Sequence, residues 1–144
     1  MSEPRTDWTA LRGLAESIAP RGPRTFAVGI ARHERAETQA SGAILAAIRR
    51  VLPPDHEISW GMTGGGCSAW IIGQIYPVTD APYLMLTGDD GPSGTDSTGD
   101  LSRGVLIGTY LDDEDDGTRV PYISAPGQPG AVAAAVARAL EAIR

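Results

Sequence analysis

The chain of 144 residues contains no lysine and no asparagine, and all 12 of its basic residues are arginine. Both missing amino acids have AT-rich codons, so their absence points to a high-GC bacterial genome. Without lysine there is no Walker-type phosphate lysine, no Schiff-base chemistry, no pyridoxal phosphate site and no Ser-Lys dyad. The single cysteine excludes an internal disulfide and fits a reducing compartment. With one cysteine and two histidines, a Cys/His metal cluster is excluded as well. No apolar run approaches the roughly 20 residues of a membrane span, and "MSEPRTDW" lacks the basic-then-apolar order of a secretory signal. The expected location is therefore the bacterial cytoplasm, or the host cytoplasm if the chain is phage-encoded, with no membrane partner. A net charge of -6 with scattered arginines argues against nucleic acid as a partner and admits a basic protein.

What is present is globular: 42% apolar and 21% charged residues, on a length that suits one domain spanning 1-144. "TDWTALRGLAESIAP" predicts a helix with Trp8, Leu11, Ala15 and Ile18 on one face, stopped by Pro20. "RTFAVGIAR" alternates Phe26, Val28 and Ile30 with small residues and predicts a strand. From Glu34 to Leu52 a helical stripe of Ala40, Ile44, Ala47, Ile48 and Val51 is closed by Pro53 and Pro54, with the polar "ERAETQAS" expected to stand clear of the core.

Beyond the prolines, "HEISWGMT", "CSAWIIGQIY", "PYLMLTG", "GVLIGTYL" and "RVPYISA" are short β-branched and aromatic segments parted by Gly, Pro and Asp, the pattern of an antiparallel meander. In "PGAVAAAVARALEAIR" the residues Val132, Val136, Leu140 and Ile143 fall within about 80 degrees on a helical wheel. The expected fold is α+β, order α-β-α-β-β-β-β-β-α, a mainly antiparallel sheet of five to six strands with helices on one face. The first strand, long helix and second strand admit one parallel βαβ pair.

"WGMTGGGCSAWIIG" sets Gly64, Gly65 and Gly66 against Cys67, between Trp60 and Trp70. A phosphate loop is a poor fit, because a strand and not a helix follows the glycines. A hairpin corner with Cys67 packed inside fits better. As a nucleophile, Cys67 would need His33 or His56 as its base, and spacing places neither. Asp112, Glu114 and Asp116 echo the start of a calcium loop, but the twelfth position from Asp112 is Ile123 and no helices flank the run, so a solvated hairpin tip is expected and no metal or cofactor is implied. The stretch Gly88 to Gly104 is long for a hairpin and is a candidate functional loop.

The positions Gly64, Gly65, Gly66, Cys67, Ala69, Thr87, Asp89, Asp90, Gly91, Gly108 and Tyr110 resemble a group of small actinobacterial and actinophage proteins with a Gly-Gly-Gly-Cys-x-Ala segment, a strand ending in Thr-x-Asp-Asp-Gly, and a Gly-x-Tyr strand. The resemblance spans Trp60 to Gly117 and implies provenance, not activity. The first 55 or so residues have no counterpart in that group, and the loop after Gly91 is longer than usual there. The expected role is a non-enzymatic macromolecule-binding accessory protein, such as a host-defence antagonist or an immunity-like or chaperone-like acidic binder. It would contact a protein through Trp60, Gly64, Gly65, Gly66, Trp70, Asp89 and Asp90. The alternatives are a small enzyme using Cys67 with His33 or His56, and a phage structural or assembly protein with the Ala-rich terminal helix at a homodimer contact.

Overall fold

The computed structural model describes residues 22-64, 67-75, 81-88, 98-112 and 114-143. The helix expected over residues 6-20, and Gly65, Gly66, Asp89 and Asp90, lie outside the described residues. Helix α1, Gly22–Ala40, is followed by α2, Gly42–Val51, then by β1 (His56–Gly64), β2 (Cys67–Gln74), β3 (Tyr83–Gly88), β4 (Val105–Tyr110) and β5 (Ile123–Ala125), and by α3, Pro129–Ala142. The architecture is α+β. The strands follow one another across the sheet, each antiparallel to its neighbour.

The segment "RTFAVGIAR" lies within α1, so the strand expected there, and with it the parallel crossover pair, gives way to a helix. Its alternation was carried by Ala27, Gly29 and Ala31, small residues that a helix accommodates equally well, and the period is too short to separate the two structures. The helical pattern continues past it: the Ser41 N–H donates to the Glu37 carbonyl at 3.0 Å and the Leu45 N–H to the Ser41 carbonyl at 2.8 Å. Only Ser41 departs from helical geometry, with φ -104° and ψ 8°, at the kind of Ser-Gly pair where helices bend. Leu52 is extended ahead of Pro53, as the steric demand of the proline ring requires.

The core lies between one face of the sheet and the helices α2 and α3. Ile44, Leu45 and Ile48 of α2 and Val132, Val136 and Leu140 of α3 meet Ile72, Leu84, Leu86, Val105 and Ile107 of the sheet. Each such side chain contributes about 1.5–3 kcal/mol when fully withdrawn from water. Three alanines of α3 face inward: Ala135 and Ala139 are fully buried and Ala133 nearly so, letting α3 pack closely on α2 and on β4 and β5.

Strand register sorts the rest of the sheet. Ile58, Trp60 and Met62 lie opposite Ile72, Trp70 and Ser68 on the helix side, and Ser59 and Gly61 lie opposite Ile71 and Ala69 on the other side. Ala69 and Ile71 are also buried, so β2 is screened on both faces. At β3 and β4 the second face carries Tyr83, Met85, Leu106 and Tyr110, all half-buried, and the pairing of Tyr83 with Tyr110 puts their rings side by side.

Candidate functional site

The densest convergence of polar side chains surrounds Glu37, in the segment expected to stand clear of the core. Only 5% of Glu37 is exposed. Its Oε1 accepts the Trp60 indole N–H at 2.6 Å and the Ser68 hydroxyl at 2.7 Å, and its Oε2 accepts the Gly99 N–H at 2.7 Å. His33 Nε2 lies 3.5 Å from Oε2, one helical turn earlier, and the His33 ring meets that of Trp60 edge-on at 5.9 Å.

Gly99 extends the network. Its N–H also donates to Ser68 Oγ at 3.1 Å, and its carbonyl accepts the Trp70 indole N–H at 2.7 Å and the Ser41 hydroxyl at 3.0 Å. Ser41 Oγ in turn accepts the Leu101 N–H at 2.9 Å. The end of the long β3–β4 connection is thereby drawn into the core: Gly99 and Leu101 are buried, and the Gly88 N–H donates to the Thr98 carbonyl at 2.7 Å. No side chain fits at position 99. A Cβ built there would sit 2.7 Å from Glu37 Oε1 and 3.1 Å from Trp70 Nε1.

This cluster is a lock, not an open cleft. Buried polar groups are tolerated when each is paired, and among the described residues no buried side-chain nitrogen or oxygen is left without a partner. A further carboxylate of the locked segment, on Asp100, faces water. The Ser102 hydroxyl (2.6 Å) and N–H (3.0 Å) hold its carboxyl below the usual aspartate range, with Arg103 adding to the shift.

Those of the residues singled out in the sequence that are described are distributed around this lock. Trp70 is 3% exposed and Trp60 is half-buried, both with indole N–H groups engaged inside. Gly64 ends β1 at a register shift after Met62, opposite Cys67, the strand irregularity expected of a glycine corner. Cys67 is half-buried, not packed inside as expected. Alternation along β2 sets it with Ala69 and Ile71, on the face away from His33, Glu37 and Ser68. His56 pairs with Gln74 at the far end of the hairpin, seven residues along β2 from Cys67 or roughly 23 Å of strand, and hydrogen-bonds Asp55 at 2.8 Å. Neither histidine is placed to serve Cys67 as a base.

The acidic run between β4 and β5 is ordered by its own backbone. Buried Asp115 accepts the Leu111 N–H at 2.8 Å and the Gly117 N–H at 2.9 Å; Asp112 accepts the Glu114 N–H at 3.0 Å and lies 3.6 Å from Arg119. The Thr118 hydroxyl (2.6 Å) and N–H (3.0 Å) donate to Asp116 and hold its carboxyl below the usual range. Among the described residues no three His, Cys, Asp or Glu side chains gather in a metal-binding group.

This run closes over the tyrosines of the second sheet face. Gly117 has φ +82°, and a Cβ there would come within 2.9 Å of the Tyr110 phenol. A Cβ at Gly108 would lie 2.6 Å from Tyr122 Cε1, so the absence of a side chain lets the Tyr122 ring rest on the strand. Tyr83 and Tyr110 stack at 5.0 Å with 2° between their planes, and Tyr122 is 51% exposed. Burial, then the neighbouring Tyr122 and Tyr83 and the Asp115 carboxylate, push the Tyr110 phenol well above its ordinary range.

Sequence reasoning missed Glu37, Ser41, Ser68 and Gly99. A signal existed for the first two: the stripe of Ile48, Leu45, Ile44 extended backwards at helical spacing lands on Ser41, Glu37 and His33. Comparison with protein-family models, curated proteins and solved structures gives no match.

Proposed function

We propose that the protein is a non-enzymatic accessory protein of an actinobacterium or its phage that works by binding another protein. The observation that carries this reading is the aromatic face of β3 and β4, where Gly117 leaves space for Tyr110 and Gly108 for Tyr122, whose ring keeps half its surface open to water beside an ordered acidic loop. Rigid tyrosines with fixed polar neighbours are the composition of protein-binding surfaces, since they bury large area at small entropic cost. The polar cluster around Glu37 supports the same reading from the other side, because its donors and acceptors are satisfied by one another.

The alternative of a cysteine enzyme is disfavoured by the placement of Cys67 on the face away from His33 and a hairpin's length from His56. A homotypic contact through Ala133, Ala135 and Ala139 of α3 is disfavoured because these alanines pack within the chain's own core.

A photo-crosslinking residue at position 122, and as a control at exposed position 138 on α3, tests the reading in lysate of an actinobacterial host. A discrete adduct from position 122 and none from 138 is expected. Equal adducts from both positions, or none from either together with turnover of a small molecule by the purified protein, would refute it.

A further inference from the structure

Resting on that reading, we propose that the Tyr83, Tyr110 and Tyr122 face, with the carboxylates of Asp112, Glu114 and Asp116, docks an arginine-bearing segment of the partner protein. The helices α2 and α3 pack on the opposite face, where Leu84, Leu86, Val105 and Ile107 join the core. Tyr83 and Tyr110 stack on each other at 5.0 Å, and beside them Tyr122 lies over the backbone of Gly108 with half its surface in water.

Charge selects the occupant. The segment from Asp112 to Arg119 holds five carboxylates and one arginine in sequence, a balance of -4, on a chain already at -6. That arginine lies 3.6 Å from Asp112 and also acts on Asp116, so a single cation serves the whole run, of which Glu114 and Asp116 are exposed. A tyrosine face attracts a cation through its quadrupole, and a guanidinium stacks on the ring while presenting a planar fork to a carboxylate. Lysine's ammonium is more strongly hydrated and has no plane to stack, so arginine is the preferred cation. A nucleic acid brings the same sign of charge as the loop. A second copy meeting through this same face would set acid against acid.

The probe is a capped arginine-glycine hexapeptide, with its lysine-glycine counterpart as comparison, titrated into the full chain while tyrosine ring and backbone amide resonances are followed. The arginine peptide should shift the rings of Tyr83, Tyr110 and Tyr122 and bind at least about three-fold tighter than the lysine peptide. Tyr122→Ala should weaken it about five-fold, whereas Tyr122→Phe, which keeps the ring, should not. Equal binding of both peptides with shifts confined to amides of 111–119 would reduce the face to undirected charge attraction and overturn the proposal. Line broadening that grows with protein concentration in the absence of peptide would make a second copy the occupant and overturn it likewise. A crosslinked partner at position 122 with no response to the arginine peptide would retain the binding function and reject its arginine chemistry.

Discussion

The two faces of the sheet handle polar and aromatic groups in opposite ways. On the helix side, Glu37 collects three donors from β1, β2 and the β3–β4 connection, and both tryptophans turn their N–H groups inward. On the other side, glycines make room for tyrosine rings that stay at the surface, and the acidic loop satisfies its own backbone while leaving Glu114 and Asp116 in water. A carboxylate hub of the first kind fixes where segments go, since its donors cannot be released without leaving several buried groups unpaired. A surface of the second kind is rigid without being closed, which is what a binding face requires. The position of a polar residue in the pairing scheme, and not its chemical type, separates the closed network from the surface one.

The largest break in that contrast should come from Glu37→Ala. It removes the acceptor of the half-buried Trp60 N–H and of the buried Ser68 hydroxyl and leaves the Gly99 N–H only Ser68 Oγ, and at about 1–3 kcal/mol for a buried unpaired donor the loss should reach about 3 kcal/mol. Chemical denaturation measures it directly; a loss below about 1 kcal/mol would mean that water already shares those donors. A matched pair of glycine substitutions sharpens the comparison. Gly99→Ala forces a Cβ against Glu37 and Trp70 inside the lock and should cost about 2 kcal/mol. Gly108→Ala meets the edge of the half-exposed Tyr122 ring, which must shift outward into water, and the gain in strand propensity offsets part of the disturbance, so the cost should stay at about 1 kcal/mol. Equal effects at the two positions would erase the distinction between the faces.

Much of this arrangement was legible in the sequence. The five strands were readable because β-branched and aromatic segments were punctuated by Gly, Pro and Asp, and the stripe of α3 because Val132, Val136 and Leu140 recur at helical spacing. Residues 24 to 32 were misleading, since a few alternating positions carry no information once the intervening residues are alanine and glycine. Glu37 went unseen because a charged residue on a helical stripe ordinarily marks its solvent side, and the partners that reverse that rule come from 23 to 62 residues away. Ser68 and Gly99 carry no local signature at all. Their roles exist only once the hairpin and the β3–β4 connection have been brought beside α1.

Alkaline titration probes the open face. The folded Tyr110 phenol ionises above its unfolded value of 10.0, so the stability it contributes is intact below pH 10 and is lost as pH rises beyond it, while the unfolded chain ionises first. Absorbance of tyrosinate in the folded protein should lag the free-phenol curve, and Tyr110→Phe should lessen both the lag and the alkaline destabilisation. A folded protein in which every tyrosine titrates as a free phenol would contradict the packing of Tyr110 beneath Gly117.

The smallest effect belongs to Asp100, where the locked segment emerges into water. Its folded pKa lies below the ordinary aspartate value of 3.8, so its contribution is present above that value and disappears as pH falls through the folded pKa. Because solvent screens a carboxylate this exposed, Asp100→Asn should cost no more than about 0.5 kcal/mol at neutral pH. The difference from the parent protein should vanish in acid well below pH 3.8. A larger cost, or one that persists at low pH, would show that Asp100 acts through the fold of Thr98 to Leu101 and not through its charge, and would extend the buried lock one residue further toward the surface.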